Sequence, residues 1–164
     1  MESLFDRRSD WPSFEQVAPN VIAALGMLGK AVDDSGLEKQ LTELLKLRVS
    51  QLNGCAFCLQ FHLNLARKLG LEQAKIDLVA TWRDAGVFSA RERAALGWAE
   101  ALTLMAQQHV TDVLYDEVRA AFTESEIAFL TTSVGAINAW NRIAGALQFS
   151  PPIPKVKMTE SVRL

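Results

Sequence analysis

Apolar residues recur at three- and four-residue spacings along nearly the whole chain, and no segment alternates in the manner of a strand. Leu41, Leu44, Leu45, Val49 and Leu52 set one apolar stripe on a helix over residues 37–52. Asn53 and Gly54 interrupt it. A further helix is predicted from 55 or 56 to 69, with Gly70 suited to the position just past its end. Upstream, residues 13–35 carry a helical pattern that Pro19 and Gly26 break or kink. Downstream, 72–82 reads as a short helix, followed by a loop at 86–89. Ser89 with Glu92 has the form of a capping box that opens a helix to about 107. Thr111 or Asp112 caps another helix through 122. Thr123 with Glu126 then opens a long one to about 149. Pro151, Pro152 and Pro154 stop it, and the tail over about 151–164 is expected to be loosely ordered.

The last helix is apolar on more than one stripe, through Ile127, Phe129, Leu130, Val134, Ile137, Trp140, Ile143, Ala144 and Leu147. Such a helix is expected either at the centre of the fold or in a subunit contact, and small residues such as Gly135, Ala139 and Gly145 allow close approach. Trp82, Trp98 and Trp140 read as core residues. Asn138, Trp140, Asn141 and Arg142 read as a packing and hydrogen-bonding patch rather than catalytic groups.

Composition narrows the function classes. The 164 residues suit one domain over 1–164, large enough to bury a core without disulfides or metal. With 49% apolar and 22% charged residues and a net charge of −2, no basic field favours nucleic acid or an anionic membrane. The apolar run at 21–28 is preceded by Glu2, Asp6, Asp10 and Glu15 as well as Arg7 and Arg8, which is not a secretory leader. No run reaches the roughly 20 apolar residues of a membrane span. The expectation is a soluble cytoplasmic protein with neither a nucleic-acid nor a membrane partner.

The chemistry concentrates at Cys55-Ala56-Phe57-Cys58, the chain's two cysteines. At a helix start they lie one turn apart on one face, within reach of a disulfide. The free backbone N–H groups there stabilise a thiolate. His62 follows Cys58 by one turn and can take or return its proton. Cys58, beside that base, is therefore read as the attacking thiol and Cys55 as the resolving one. Glu43 reaches the site only if the chain folds back at Asn53-Gly54, where it would raise the basicity of His62. Competing readings are two buried hydrophobic cysteines, or zinc held by Cys55, Cys58, His62 and either Glu43 or His109. Zinc is disfavoured because no second cysteine or histidine pair accompanies the first. His109 alone reads as a surface residue at a helix end.

Residues 43–70, ELLKLRVSQLNGCAFCLQFHLNLARKLG, closely resemble the core of the AhpD-like alkyl hydroperoxidases within the carboxymuconolactone decarboxylase superfamily. The matching pattern is Glu43, the cysteine pair twelve residues later and His62, with the lead-in Ser50-Gln51-Leu52-Asn53-Gly54. The resemblance continues through Trp82-Arg83, the segment at 88–93 and Ile137-Asn138-Ala139-Trp140-Asn141-Arg142. It implies an all-α, AhpD-like bundle of about six to eight helices with its redox core at about 37–70, assembled as a homotrimer or homohexamer. It implies a peroxide-reducing or disulfide-reducing thiol activity that needs no haem, flavin or metal. The expectation is a peroxidase for antioxidant defence, recycled by a dithiol electron donor or adaptor protein, and an apolar surround including Phe57 would suit an organic hydroperoxide. Cys58 would attack the peroxide, Cys55 would resolve it, and His62 and Glu43 would relay protons. Phe57 stands where the best-known members carry a second histidine. The alternatives are a thiol-disulfide oxidoreductase and a non-enzymatic redox-sensing oligomer.

Overall fold

The computed structural model describes residues 8–155. Within them the chain forms eight α-helices and no strand, at the upper end of the expected number. Helix α1 (Trp11–Val17) starts where the Asp10 side chain accepts the Ser13 N–H at 2.9 Å. Pro19 opens α2 (Pro19–Asp33) rather than kinking one long helix, because the residue before a proline is driven out of helical geometry and Ala18 sits at φ −136°. Gly26 lies inside α2 without interrupting it.

Helices α3 (Lys39–Leu52) and α4 (Ala56–Lys68) form an antiparallel hairpin, tied at its open end by Gln40 Nε2 donating to the Leu69 carbonyl at 3.0 Å. The turn between them depends on Gly54 at φ +64°, a left-handed conformation that costs glycine little. It lets the Gly54 and Cys55 N–H groups cap the carbonyls of Gln51 and Ser50 at 3.2 and 3.0 Å. Gly70, at φ +72°, ends α4 in the same way.

The expected helix over 72–82 is α5 (Gln73–Leu78) running into a 3-10 turn at Val79–Thr81. Helices α6 (Ala90–Thr103) and α8 (Glu124–Leu147) each start with a complete capping box, Ser89 with Glu92 and Thr123 with Glu126. Thr111 caps α7 (Asp112–Ala121). Helix α6 stops short of residue 107: residues 105–109 are all exposed, so further turns would bury nothing. Past α8, Gln148 takes the left-handed conformation (φ +57°) that glycine took in the hairpin, and Phe149 turns back into the core. Residues 151–155 carry no helix. The remaining tail, 156–164, and the leader residues Glu2, Asp6 and Arg7 lie outside the described residues.

The core is filled by Leu44, Leu45, Leu47, Leu96, Leu130 and Ile137, all essentially inaccessible to solvent. Helix α8 touches α2, α3, α4, α6 and α7, and this central position accounts for its apolar sides. A second buried carboxylate, Glu100 on α6, accepts from Trp82 Nε1 at 2.9 Å and Arg48 Nε at 2.6 Å, and also pairs with Arg83. Among the described residues, no helix is long and apolar enough to cross a membrane.

Candidate active site

Cys55 joins two helices. Its N–H closes the end of α3, and its Sγ caps the start of α4 by accepting the Cys58 N–H at 3.3 Å. Both cysteines are free thiols and almost fully buried. Cys55 also accepts from the Cys58 thiol, and that bond more than any other draws the Cys55 thiol down to about 7, against its burial; the Cys58 N–H and the Asn141 amide add to the effect. The Cys58 thiol is pushed far up, because it gives its hydrogen to Cys55 and is buried. The pair thus shares one readily lost proton and holds the other tightly.

The hairpin brings Glu43 to His62, as the sequence required for it to act there. Glu43 Oε2 lies 2.6 Å from His62 Nδ1, and Oε1 accepts from Lys46 Nζ at 2.8 Å. Burial alone would raise the Glu43 carboxyl, but the His62 hydrogen bond and the nearby cations hold it at about 2. An ionised carboxylate only accepts, so His62 Nδ1 carries the hydrogen and Nε2 is left as the basic atom of the ring. Glu43 therefore fixes both the tautomer and the orientation of the imidazole.

A polar cluster backs the cysteines from α8. Asn53 Nδ2 donates to Asn138 Oδ1 at 3.0 Å and to Asn141 Oδ1 at 2.8 Å, and Asn141 Nδ2 donates to Ser50 Oγ at 3.2 Å. The Asn141 amide, beside both thiols, favours their charged forms. Asn138 is tied instead to the Val134 carbonyl and Thr103 Oγ1.

In front of the cysteines lies a pocket of about 570 Å³, lined by Cys58, His62, Lys46, Trp11, Phe57, Phe61, Trp140, Leu25 and Ile137 among others. Cys55 is not part of its wall. Trp140, read from sequence as core, is only half-buried: α8 turns it toward the pocket, where it meets Trp11 at 5.9 Å between ring centroids. Trp82 and Trp98 are core residues, as expected. His109 is exposed in the loop between α6 and α7, away from the pocket wall. Among the described residues, no three His, Cys, Asp or Glu side chains converge as a metal site.

Sequence reasoning missed Trp11, Lys46 and the contact of Asn141 with the thiols. Lys46 had a local signal, since it stands one turn after Glu43. Asn141 had a weaker one, as part of the polar patch with Asn138 and Arg142 in the mainly apolar half of α8. Trp11 had none, because only the tertiary fold carries α1 to α4.

The helical hairpin thus brings two free thiols and a carboxylate-oriented imidazole together at one site. The sequence profile of the Carboxymuconolactone decarboxylase family matches residues 19–101, and the chain belongs to that family, as an AhpD-like member. It is 36% identical over 135 residues to the uncharacterized protein YdfG of Bacillus subtilis, covering 82% of this chain and 92% of that protein. Its fold matches a protein of unknown function from Agrobacterium tumefaciens, named for the antioxidant defence protein AhpD, with TM-score 0.83 and 38% identity over 86% of this chain and 97% of that one. It also matches an uncharacterized peroxidase-related protein from Silicibacter sp. TM1040, with TM-score 0.71 and 26% identity over 80% and 70% of the two chains.

Proposed function

We propose that the protein is a cysteine-based peroxidase that reduces organic hydroperoxides in antioxidant defence. The observation that carries the reading is that Cys58 and His62, one turn apart on α4, both line an apolar pocket, while Glu43 holds His62 from behind. In the resting dithiol the negative charge favours Cys55, so catalysis begins when the proton between the sulfurs moves from Cys58 to Cys55. The Cys58 thiolate attacks the distal oxygen of the hydroperoxide and the O–O bond breaks. The departing alkoxide takes a proton from His62 Nε2, where the first ionisation of the dithiol had left it. The Cys55 thiol then displaces water from the Cys58 sulfenic acid. Two thiols are oxidised to one disulfide, and the peroxide is reduced to an alcohol and water. A dithiol donor, small or protein-borne, restores the pair by exchange.

Near-complete burial of both sulfurs favours a small peroxide over a protein disulfide as the oxidant. The same reading takes the protein as cytoplasmic, one domain per chain, and a homotrimer or homohexamer. Val17, Val21, Met27 and Leu28, exposed along α1 and α2, supply apolar surface for that assembly.

The test is the intact mass of reduced protein after one equivalent of an organic hydroperoxide. A rapid loss of about 2 Da marks the disulfide. Cys55→Ser should stop at a sulfenic acid on Cys58 that a 1,3-diketone traps, and Cys58→Ser should lose turnover entirely. Full activity in Cys58→Ser, or a trapped sulfenate on Cys55, overturns the roles assigned to the two sulfurs.

A further inference from the structure

We infer that the pocket beside Cys58 is shaped for a substrate bearing an aromatic ring, an aryl-substituted hydroperoxide, rather than hydrogen peroxide, a small alkyl or a linear acyl hydroperoxide. The hydroperoxide half of this statement rests on the function proposed above; the ring half rests on the pocket walls alone.

Helix α4 carries two adjacent rows along the cavity. Cys58 and His62 form one, and Phe57 and Phe61 form the other, each pair spaced by one turn. Phe57 meets three other rings. Trp11 stacks on it at 5.8 Å and 17°, and Phe61 at 6.4 Å and 20°. Phe149 meets Phe57 edge-to-face at 5.4 Å and 81°, and with Trp11, Phe57 and Phe61 all on the cavity wall an aromatic ligand can pair with ring faces and edges alike. Aromatic edges carry the positive end of the ring quadrupole and pair best with the negative face of another ring. A saturated chain in the same place gains apolar contact but not that pairing. Trp140, tilted by 44° to Trp11, adds a fourth aromatic wall.

Size points the same way. A cavity of about 570 Å³ is in the range that encloses ligands of many heavy atoms. A one- to four-carbon peroxide would leave most of these walls in water. A ring lying on the Phe57–Phe61 row places a substituent one carbon away over the neighbouring Cys58–His62 row. The reacting oxygen of a benzylic hydroperoxide sits there. Its attack by the Cys58 thiolate releases the matching benzylic alcohol, with the proton supplied as above.

The experiment separates binding from turnover. Affinities of reduced protein for three unreactive alcohols are measured by tryptophan fluorescence: 2-phenyl-2-propanol, tert-butanol, and 1-nonanol, which matches the first in carbon number but is more apolar. The aryl alcohol is expected to bind at least tenfold tighter than tert-butanol and also tighter than nonanol. Trp11→Leu and Phe61→Leu should each weaken it threefold or more and weaken nonanol clearly less. Phe61 is 49% exposed, so its variant tests the wall without disturbing the core. Nonanol binding as tightly as the aryl alcohol, or indifference of both leucine variants, overturns the inference. Cumene hydroperoxide and tert-butyl hydroperoxide are then compared in turnover. Ring preference in binding without any peroxide turnover would refute the peroxidase reading and leave the aromatic pocket standing. Turnover without ring preference would do the reverse.

Discussion

Glu43 on α3 and Glu100 on α6 are the two buried carboxylates among the described residues, and their helices pack against each other, yet their partners differ in kind. Glu100 is gripped by Arg48, Arg83 and the Trp82 indole. Guanidinium and indole groups do not give up their protons under ordinary conditions, so this arrangement has one protonation state. Glu43 is held by His62 and Lys46, and His62 faces a pocket beside a thiol. An imidazole can gain and lose a proton without leaving its carboxylate. The same burial of the same functional group makes a fixed clamp in one place and, on the function proposed above, a proton relay in the other. The partner residues and the adjacent cavity, more than the depth of burial, mark which is which.

The contrast can be tested from its largest expected effect downward. Glu43→Gln keeps the size and one hydrogen bond but loses the charge that fixes His62. It should lower kcat/KM for an organic hydroperoxide by about 10²-fold, the usual scale for a positioned acid–base group. A loss under threefold would mean that His62 needs no such partner.

Acid exposes the same residue through stability. The Glu43 carboxyl sits at about 2 against a reference of 4.5, which corresponds to about 3 kcal/mol in favour of the folded state. Because the folded value is the lower one, that stabilisation is complete above about pH 4.5 and is lost as pH falls toward 2. The stability gap between wild type and Glu43→Gln in urea melts should therefore close as pH falls through that window. A gap independent of pH would show that the glutamine costs packing rather than charge.

Glu100→Gln should leave kcat/KM near that of the wild type and instead cost about 2 kcal/mol of stability. That lies below the 3–5 kcal/mol typical of breaking a fully enclosed ion pair, because Arg83 is 61% exposed and regains water. The smallest effect belongs to a position remote from both carboxylates. Gln148 holds a left-handed conformation that favours glycine, so Gln148→Gly should raise stability by up to about 1 kcal/mol. It provides a baseline against which the other two variants are read.

The helices were legible wherever short-range chemistry sets their ends. Both capping boxes, the Thr111 cap and the Gly70 terminus are local patterns, and each appears at the position the sequence marks. Pro19 was marked as a disturbance, and only its result, two helices, had to be seen. Within the site, the cysteine pair and His62 share one helix, so spacing alone placed them. Glu43 depended on one hairpin closing at Gly54. The walls of the pocket were not legible, because Trp11 and Trp140 come from opposite ends of the chain and meet only in the folded state. The same holds for Asn141, whose partners Asn53 and Ser50 lie 88 and 91 residues upstream.

Cys55, the resolving sulfur of the proposed redox pair, also caps α4. A thiolate is a stronger hydrogen-bond acceptor than a disulfide sulfur, so oxidation withdraws part of the support for the first turn of that helix. By thermodynamic reciprocity, whatever that cap contributes to holding the turn closed is also a bias toward the reduced protein. The reduction potential of the pair and the local melting of the Cys55–Cys58 turn are then two readings of one free energy. A substitution that loosens the turn without touching either sulfur should shift the potential as well.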